Sequence, residues 1–384
     1  MTIQHNFLPD QYDRTNPLPI NHNYLLQQFA DVAEILGDIE ALVKRGDFTL
    51  GRTVDEFEQA ICRCTGSRYC IGVGSGTDAL FLSLKAAGVG PGHEVITTPY
   101  TFFATVSAIV AAGARPVFAD IREDYNIDPG KITAAITPNT RAILPVHWSG
   151  CPCEMDAITA IANKHGLKIV EDACHGIQAT YRGTHTGRFG IAGCFSLHPL
   201  KNLNVWGDGG YIITDSQELH DTLVLLRNHG LINRDECGIY GHNSRLDALQ
   251  AIVANHLLKK LDGITAARIA HAARFDRLLA GISGITIPPR PAHVKQVYHL
   301  YIIRAQRRDA LQQYLIQQGV DAKVHYPIPM HLQPAAKSLG YTRGDFPVSE
   351  AVCASVLSLP VHEFITDAQI DYTAEKIRDF YAAH

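Results

Sequence analysis

Between residues 69 and 230, short apolar and β-branched runs alternate with longer stretches whose apolar residues recur every three or four positions. "YCIGV" precedes "TDALFLSLKAAG", "HEVITT" precedes "TFFATVSAIVAAG", and "RPVFADI" precedes "DPGKITAAIT". "RAILPVH" then precedes "EMDAITAIANKHG", after which comes "LKIVED". Short continuous apolar runs predict strands, and three-to-four spacing predicts helices. Their alternation, punctuated by Gly and Pro, predicts an α/β fold with a mostly parallel sheet covered by helices on both faces. Two further strand-like runs, "AGCFSLH" and "GYIITD", flank a loop that carries Lys201.

The pattern changes after a helical stretch from about Ser244 to Leu261. Beyond it come "QVYHLYIIRA", a helix at "RDALQQYLIQQG", the Pro-rich "HYPIPMHLQP" and a last helix at "DAQIDYTAEKIRDFYAAH". This predicts a large domain over residues 20–255 and a smaller C-terminal α+β domain over 256–384, with an N-terminal arm (1–19) packing on the smaller one. No internal repeat or low-complexity tract interrupts the pattern.

Composition narrows the function classes. With 46% hydrophobic and 19% charged residues in 384, the chain is globular, and its net charge of −4 leaves no basic footprint for nucleic acid. The start, "MTIQHNFLPDQYDRTNPLP", lacks the basic and apolar regions of a signal peptide, and the longest mostly apolar stretch, Phe102 to Ala114, is too short to cross a bilayer. The nine cysteines form no C-x-x-C pair, and Cys62/Cys64 and Cys151/Cys153 lack matching zinc ligands. Together these predict a cytoplasmic protein with reduced thiols, no metal and no membrane partner.

The candidate chemistry sits at strand ends. "GVGSGTDAL" places three glycines between a strand and a helix, where backbone amides and a helix N-terminus can bind a phosphate. A dinucleotide fingerprint would need glycine at the position of Thr77, so that reading fails; a phosphate cup at Gly76 and Thr77, or a plain capped turn, remains. Glu171 and Asp172 close an apolar strand, where an acid needs a cation or donor partner. His175 follows as a ligand contact or a satisfied core histidine. A lysine beside such strand ends is placed for Schiff-base chemistry, because burial disfavours its charged form. Lysine, acid and phosphate cup are the three things pyridoxal phosphate requires, and "YTFFAT" supplies flat side chains to cover its ring.

In these and further segments the chain resembles the DegT/DnrJ/EryC1/StrS family of vitamin B6-dependent sugar aminotransferases, of the aspartate aminotransferase fold (fold type I). "GDFTLGRTVDEFEQAI", "TTPYTFFAT", "PVHWSG", "VEDACHG", "FSLHPLKNLNVWGDGG", "HNSRLDALQA" and "HYPIPMHLQ" occur in the family's order. The resemblance implies pyridoxal 5′-phosphate as cofactor, with pyridoxamine 5′-phosphate as its amine-loaded form. Lys201 would be the Schiff-base lysine and proton shuttle, and Asp172 the partner of the pyridine nitrogen. Phe102 would stack on the ring, His175 would meet the 3-oxygen where many relatives carry Gln, and Gly76, Thr77 and Ser196 would hold the phosphate. Asn243 would reach the cofactor of a neighbouring subunit, making a homodimer with composite sites. His325, Tyr326 and His331 would line the sugar side.

The implied reaction moves an amino group from L-glutamate, released as 2-oxoglutarate, to a keto group of a nucleotide-linked deoxysugar. Ser244 in "NSR" leans toward 3-keto sugars, and Trp206 and Asn204 imply an altered site mouth. The implied setting is amino-sugar biosynthesis for a surface polysaccharide or glycosylated metabolite. Two alternatives share the fold: a sugar dehydratase, which the resemblance expects to carry histidine in place of Lys201, and a non-catalytic regulator.

Overall fold

The computed structural model describes residues 18–383. Seven strands form the main sheet: β1 (Tyr69–Val73), β2 (Glu94–Thr97), β3 (Arg115–Phe118), β4 (Thr140–Ile143), β5 (Lys168–Asp172), β6 (Ala192–Ser196) and β7 (Gly210–Thr214). Their order is β1-β7-β6-β5-β4-β2-β3. Only β7 runs against its neighbours, pairing antiparallel with β1 and β6. The remaining pairs are parallel, so their C-terminal ends share one edge. Almost every residue of these strands is buried, which explains why they read as continuous apolar runs rather than alternating ones.

Helices cover both faces. One apolar core joins Phe195, Tyr211 and Ile213 to the helices Ala33–Arg45, Arg52–Thr65 and Ala248–Leu258. The other joins Ile71, Val170 and Ile212 to the helices Gly76–Ala86 and Gln217–Arg227. Local chemistry fixes several helix starts. Ser75 and Ser216 accept N-terminal amides of their helices, and Asp128 does so ahead of Pro129. The last helix, Asp367–Ala382, opens with a reciprocal cap between Thr366 and Gln369.

A second, antiparallel sheet contains β8 (Ile285–Thr286), β9 (Tyr301–Ala305) and β10 (Val356–Leu359), with its own core around Ile303, Leu357 and Ile377. The sequence predicts one helix from about 244 to 261. The structure instead has the helix Ala248–Leu258 and a longer one, Leu261–Leu279. That second helix serves both cores: Leu261 and Ile264 pack in the first, and Ala272, Phe275 and Leu279 in the second. Being apolar on two sides, and carrying the buried Arg268, it shows no simple stripe in the sequence. Of the expected arm, residues 1–17 lie outside the described residues. Pro19 accepts a hydrogen bond from Gln369, and Ile20 pairs in parallel with Val320 of the smaller unit.

Candidate active site

The parallel edge of the sheet gathers most of the predicted site. Strand alternation sends the two acids of β5 to opposite sides. Glu171, fully buried, accepts the amides of Gly187, Phe189 and Gly190, each at 2.7 Å, and meets His147 Nε2 at 2.9 Å. It is a structural hub. Asp172, buried at the strand end, accepts from Thr105 Oγ1 at 2.7 Å and from the amide of Cys174 at 3.2 Å. Thr105 in turn lies 2.7 Å from the Thr101 hydroxyl, one helical turn away. The Asp172 carboxylate is thus oriented, with no cation bonded to it among the described residues.

Lys201 lies in the loop between β6 and β7 and is half-buried. Burial lowers the basicity of its amine, opposed by the nearby Cys174 and Asp172. Its backbone is held firmly. The carbonyl accepts from Asn204 Nδ2 at 2.9 Å and from the Tyr24 hydroxyl at 3.3 Å, and Tyr24 also reaches the carbonyl of Leu200. Leu200 adopts φ +74°, a left-handed conformation that a leucine holds only where its surroundings enforce it. Asn204 is fully buried and also bonds Gln28, so it braces the lysine loop and does not shape the mouth. Trp206, 38% exposed, lies edge-on to Phe29.

The phosphate candidates converge as well. Ser75 Oγ accepts the amide of Asp78, leaving the first two helical amides, of Gly76 and Thr77, without an acceptor among the described residues. A Cβ on Gly76 would lie 2.7 Å from Ser196 Cβ and 3.0 Å from Cys174 Sγ. The helix start, the end of β6 and the loop after β5 therefore form one tight cradle, and glycine is required for it. Thr77 lies at its open side, exposed.

Rings line the adjoining wall. Phe102, 47% exposed, sits 5.7 Å from Tyr326, which sits 5.5 Å from Trp148. Trp148 lies 5.4 Å from His175. Burial pushes the Tyr326 phenol up, with the charge of Asp172 adding to it. The His175 Nδ1 is buried with no partner among the described residues, and burial together with Lys201 and His325 holds this imidazole far below its usual basicity. His325 bonds Ser358 Oγ through Nδ1 at 2.9 Å; burial, then His22, Lys323 and Lys201, takes it down to about 3.

Two predicted residues stand apart from this cluster. His331 is buried, with Glu350 at 3.1 Å and the Phe346 ring at 4.7 Å, an occupation within the smaller unit. Asn243 is exposed, in a loop that also carries Tyr240, 98% exposed, while its neighbour Ser244 accepts the amide of Gly74. Sequence reasoning missed Thr105 and Tyr24, and placed Asn204 at the mouth of the site and not under the lysine loop. Only Thr105 left a signal, its four-residue spacing from Thr101 in "YTFFAT". A groove of about 910 Å³, lined among others by Arg45, Arg52, Gln178 and Asp262, contains none of these residues, so concavity alone does not find the site. Among the described residues no group of His, Cys, Asp and Glu could hold a metal, and no helix is long and apolar enough to cross a membrane.

Comparison with known proteins finds relatives along nearly the whole chain and a solved structure of the same fold. A protein of Geobacillus stearothermophilus named pleiotropic regulatory protein is 42% identical over 351 residues, covering 91% of this chain and 94% of its own. The dTDP-3-amino-3,4,6-trideoxy-alpha-D-glucose transaminase of Streptomyces venezuelae is 39% identical over 349 residues, covering 91% and 92%. The crystal structure of S. venezuelae DesV in complex with a ketimine intermediate superimposes with a TM-score of 0.92 at 38% identity, covering 95% of this chain and 99% of that one. The model of the DegT/DnrJ/EryC1/StrS aminotransferase family matches residues 30–378, and the chain belongs to that family.

Proposed function

We propose that the chain is a pyridoxal 5′-phosphate-dependent aminotransferase. It moves an amino group from L-glutamate to the keto carbon of a nucleotide-linked deoxysugar, with C3 the favoured carbon. The carrying observation is the convergence of Lys201, Asp172 and the Gly76–Ser196 cradle at one edge of the sheet. The fit to this cofactor rests on donor chemistry: unaccepted helix amides for a phosphate, an oriented carboxylate for a pyridine N–H, and the unpartnered Nδ1 of His175 for a ring oxygen. The name of the Streptomyces relative, a 3-amino sugar transaminase, supports the position on the sugar.

When bound, the cofactor supplies an aldehyde for amine exchange and a ring that accepts electrons. The chain supplies the rest. Lys201 would take the proton from the donor's α-carbon on Nζ and pass it to the cofactor's C4′, and in the second half-reaction would carry a proton from C4′ to the keto carbon of the sugar, a role favoured by an amine whose basicity burial lowers. Asp172, fixed by Thr105, keeps a proton on the pyridine nitrogen. Phe102 and Tyr326 exclude water from the faces of the site. His325 and Tyr326 border the sugar side, and His331 contributes through packing. A cytoplasmic place fits nine free cysteines.

A homodimer completes the reading. The exposed loop with Tyr240 and Asn243, together with the half-exposed Phe102 and Phe103, supports a second copy covering the site mouth. The dehydratase alternative conflicts with a lysine at position 201, and a regulator would have no use for the intact cluster, whatever the name of the Geobacillus relative.

One experiment tests both the chemistry and the assembly. Lys201→Ala should abolish borohydride fixation of the cofactor and release of 2-oxoglutarate from glutamate. Asn243→Ala should lose cofactor affinity. Mixing the two, once tags show subunit exchange, should restore activity above the sum of the separate proteins. Borohydride fixation that persists at another lysine sinks the Lys201 assignment; exchange without gain sinks the composite site.

A further inference from the structure

The segment Val297–His299 leads into the smaller sheet, yet it is bound to the larger unit at three places. Asn202, the buried neighbour of Lys201, donates from Nδ2 to the carbonyl of Val297 at 3.0 Å. The amides of Val297 and His299 donate to the carbonyls of Gly150 and Ser149, at 3.1 and 2.9 Å. Gly150 has φ +85°, and a Cβ there would lie 2.6 Å from Val297 Cγ2 and 2.8 Å from the carbonyl oxygen of His175. Three chain segments thus meet at van der Waals distance, and only glycine lets them close. At this junction the His299 ring lies on the His175 ring, with centroids 4.3 Å apart and planes 36° apart.

The Nδ1 atoms of both histidines are buried and have no partner among the described residues. Burial and the Lys201 charge keep both rings neutral, so each Nδ1 is a fixed polar atom and not a mobile charge. A buried polar atom left unmade is costly, and each such atom calls for an explanation, of which a bound molecule is one. Among the described residues the His175 side chain has no hydrogen bond that fixes its rotation; its neighbours are rings, Trp148 at 5.4 Å and His299 closer. Orientation must come from that stacking.

We propose that Val297–His299 is a strap tying the Lys201 loop to the loop after β4, and that His299, whose ring lies on that of His175 in the loop after β5, is the positioning residue that aims His175 Nδ1 at the bound ligand. The proposal rests on the cofactor reading above. An aromatic pair of this kind is worth about threefold to tenfold in an equilibrium constant.

The test is a cycle of His299→Leu, His299→Phe and His175→Ala, singly and combined, read by calorimetric titration with pyridoxamine 5′-phosphate and by visible circular dichroism with pyridoxal 5′-phosphate. His299→Leu should weaken the amine form about threefold to tenfold and reduce the dichroism per bound cofactor. His299→Phe, which keeps a flat ring against His175, should restore both. In the His175→Ala background, His299→Leu should change neither. Equal losses with and without His175, a phenylalanine variant as impaired as the leucine one, or no effect of leucine would each overturn the proposal. If His299→Leu does not fold, His299→Gln takes its place with the same expectations. If the unmodified protein binds neither cofactor form, the cofactor reading has failed. The strap is then judged by melting temperatures in the same cycle, where additivity of positions 175 and 299 overturns it.

Discussion

Glu171 and Asp172 are chemically almost identical in the sequence, and the fold separates them. β5 turns one toward four donors and the other toward the site. That an acid pair at a strand end matters is legible from the residues alone, as is the lysine; which acid does which job depends on strand phase. The supporting groups were hidden for a different reason. Tyr24 and Asn204 act on the carbonyl of Lys201 through contacts that only the closed fold creates. Thr105 offers the cleanest test at this scale. Thr105→Val keeps the shape and removes the 2.7 Å bond to Asp172. A hydrogen bond to a charged group contributes about 1.5–3 kcal/mol, so cofactor affinity should fall roughly tenfold or more, with the melting temperature showing that the fold survives. Unchanged affinity would mean that Thr105 does not orient the carboxylate.

The strands of the main sheet were the most legible elements, because burial on both faces writes itself as apolar runs with Gly and Pro at the ends. The helix Leu261–Leu279 was not, because it packs on two cores at once. The glycines of Gly207-Asp208-Gly209-Gly210, which follow the Lys201 loop, serve different ends. Gly207 adopts φ +146°, whereas Gly210 is already the first residue of β7, and a Cβ on it would lie 2.5 Å from the carbonyl carbon and oxygen of Ser75 and 2.7 Å from the amide nitrogen of Gly76. Those atoms are backbone and cannot swing aside. Gly210→Ala should therefore cost about 1–3 kcal/mol of stability and open the cradle. A thermal melt and a titration with inorganic phosphate read the two effects, and a variant as stable as the parent would refute the close approach.

Across the whole molecule the histidines carry a pH signature that no local motif shows. Burial lowers His22 and His185 to about 4, and His325 and His362 to about 3, each from 6.5. The unfolded chain therefore takes up these protons first as pH falls below 6.5, and stability drops through the window from 6.5 toward 4. For the well-buried His185 and His362 the slope is up to about 1.4 kcal/mol per pH unit each. The cofactor-free protein should lose melting temperature steadily between pH 6.5 and 5, and a flat profile would show that these rings are protonated in the folded state. The reversed strand has a consequence for biosynthesis. β1 lies at the edge of the sheet, and its partner there is β7, which is translated more than a hundred residues later. On the ribosome, a buried apolar strand must wait unpaired while β2 to β6 can already assemble with one another. The growing chain thus carries an open sheet edge through much of its synthesis, the kind of surface that chaperones hold and that aggregation exploits. Synthesis rate and chaperone supply, more than the stability of the finished enzyme, should govern the yield of soluble protein.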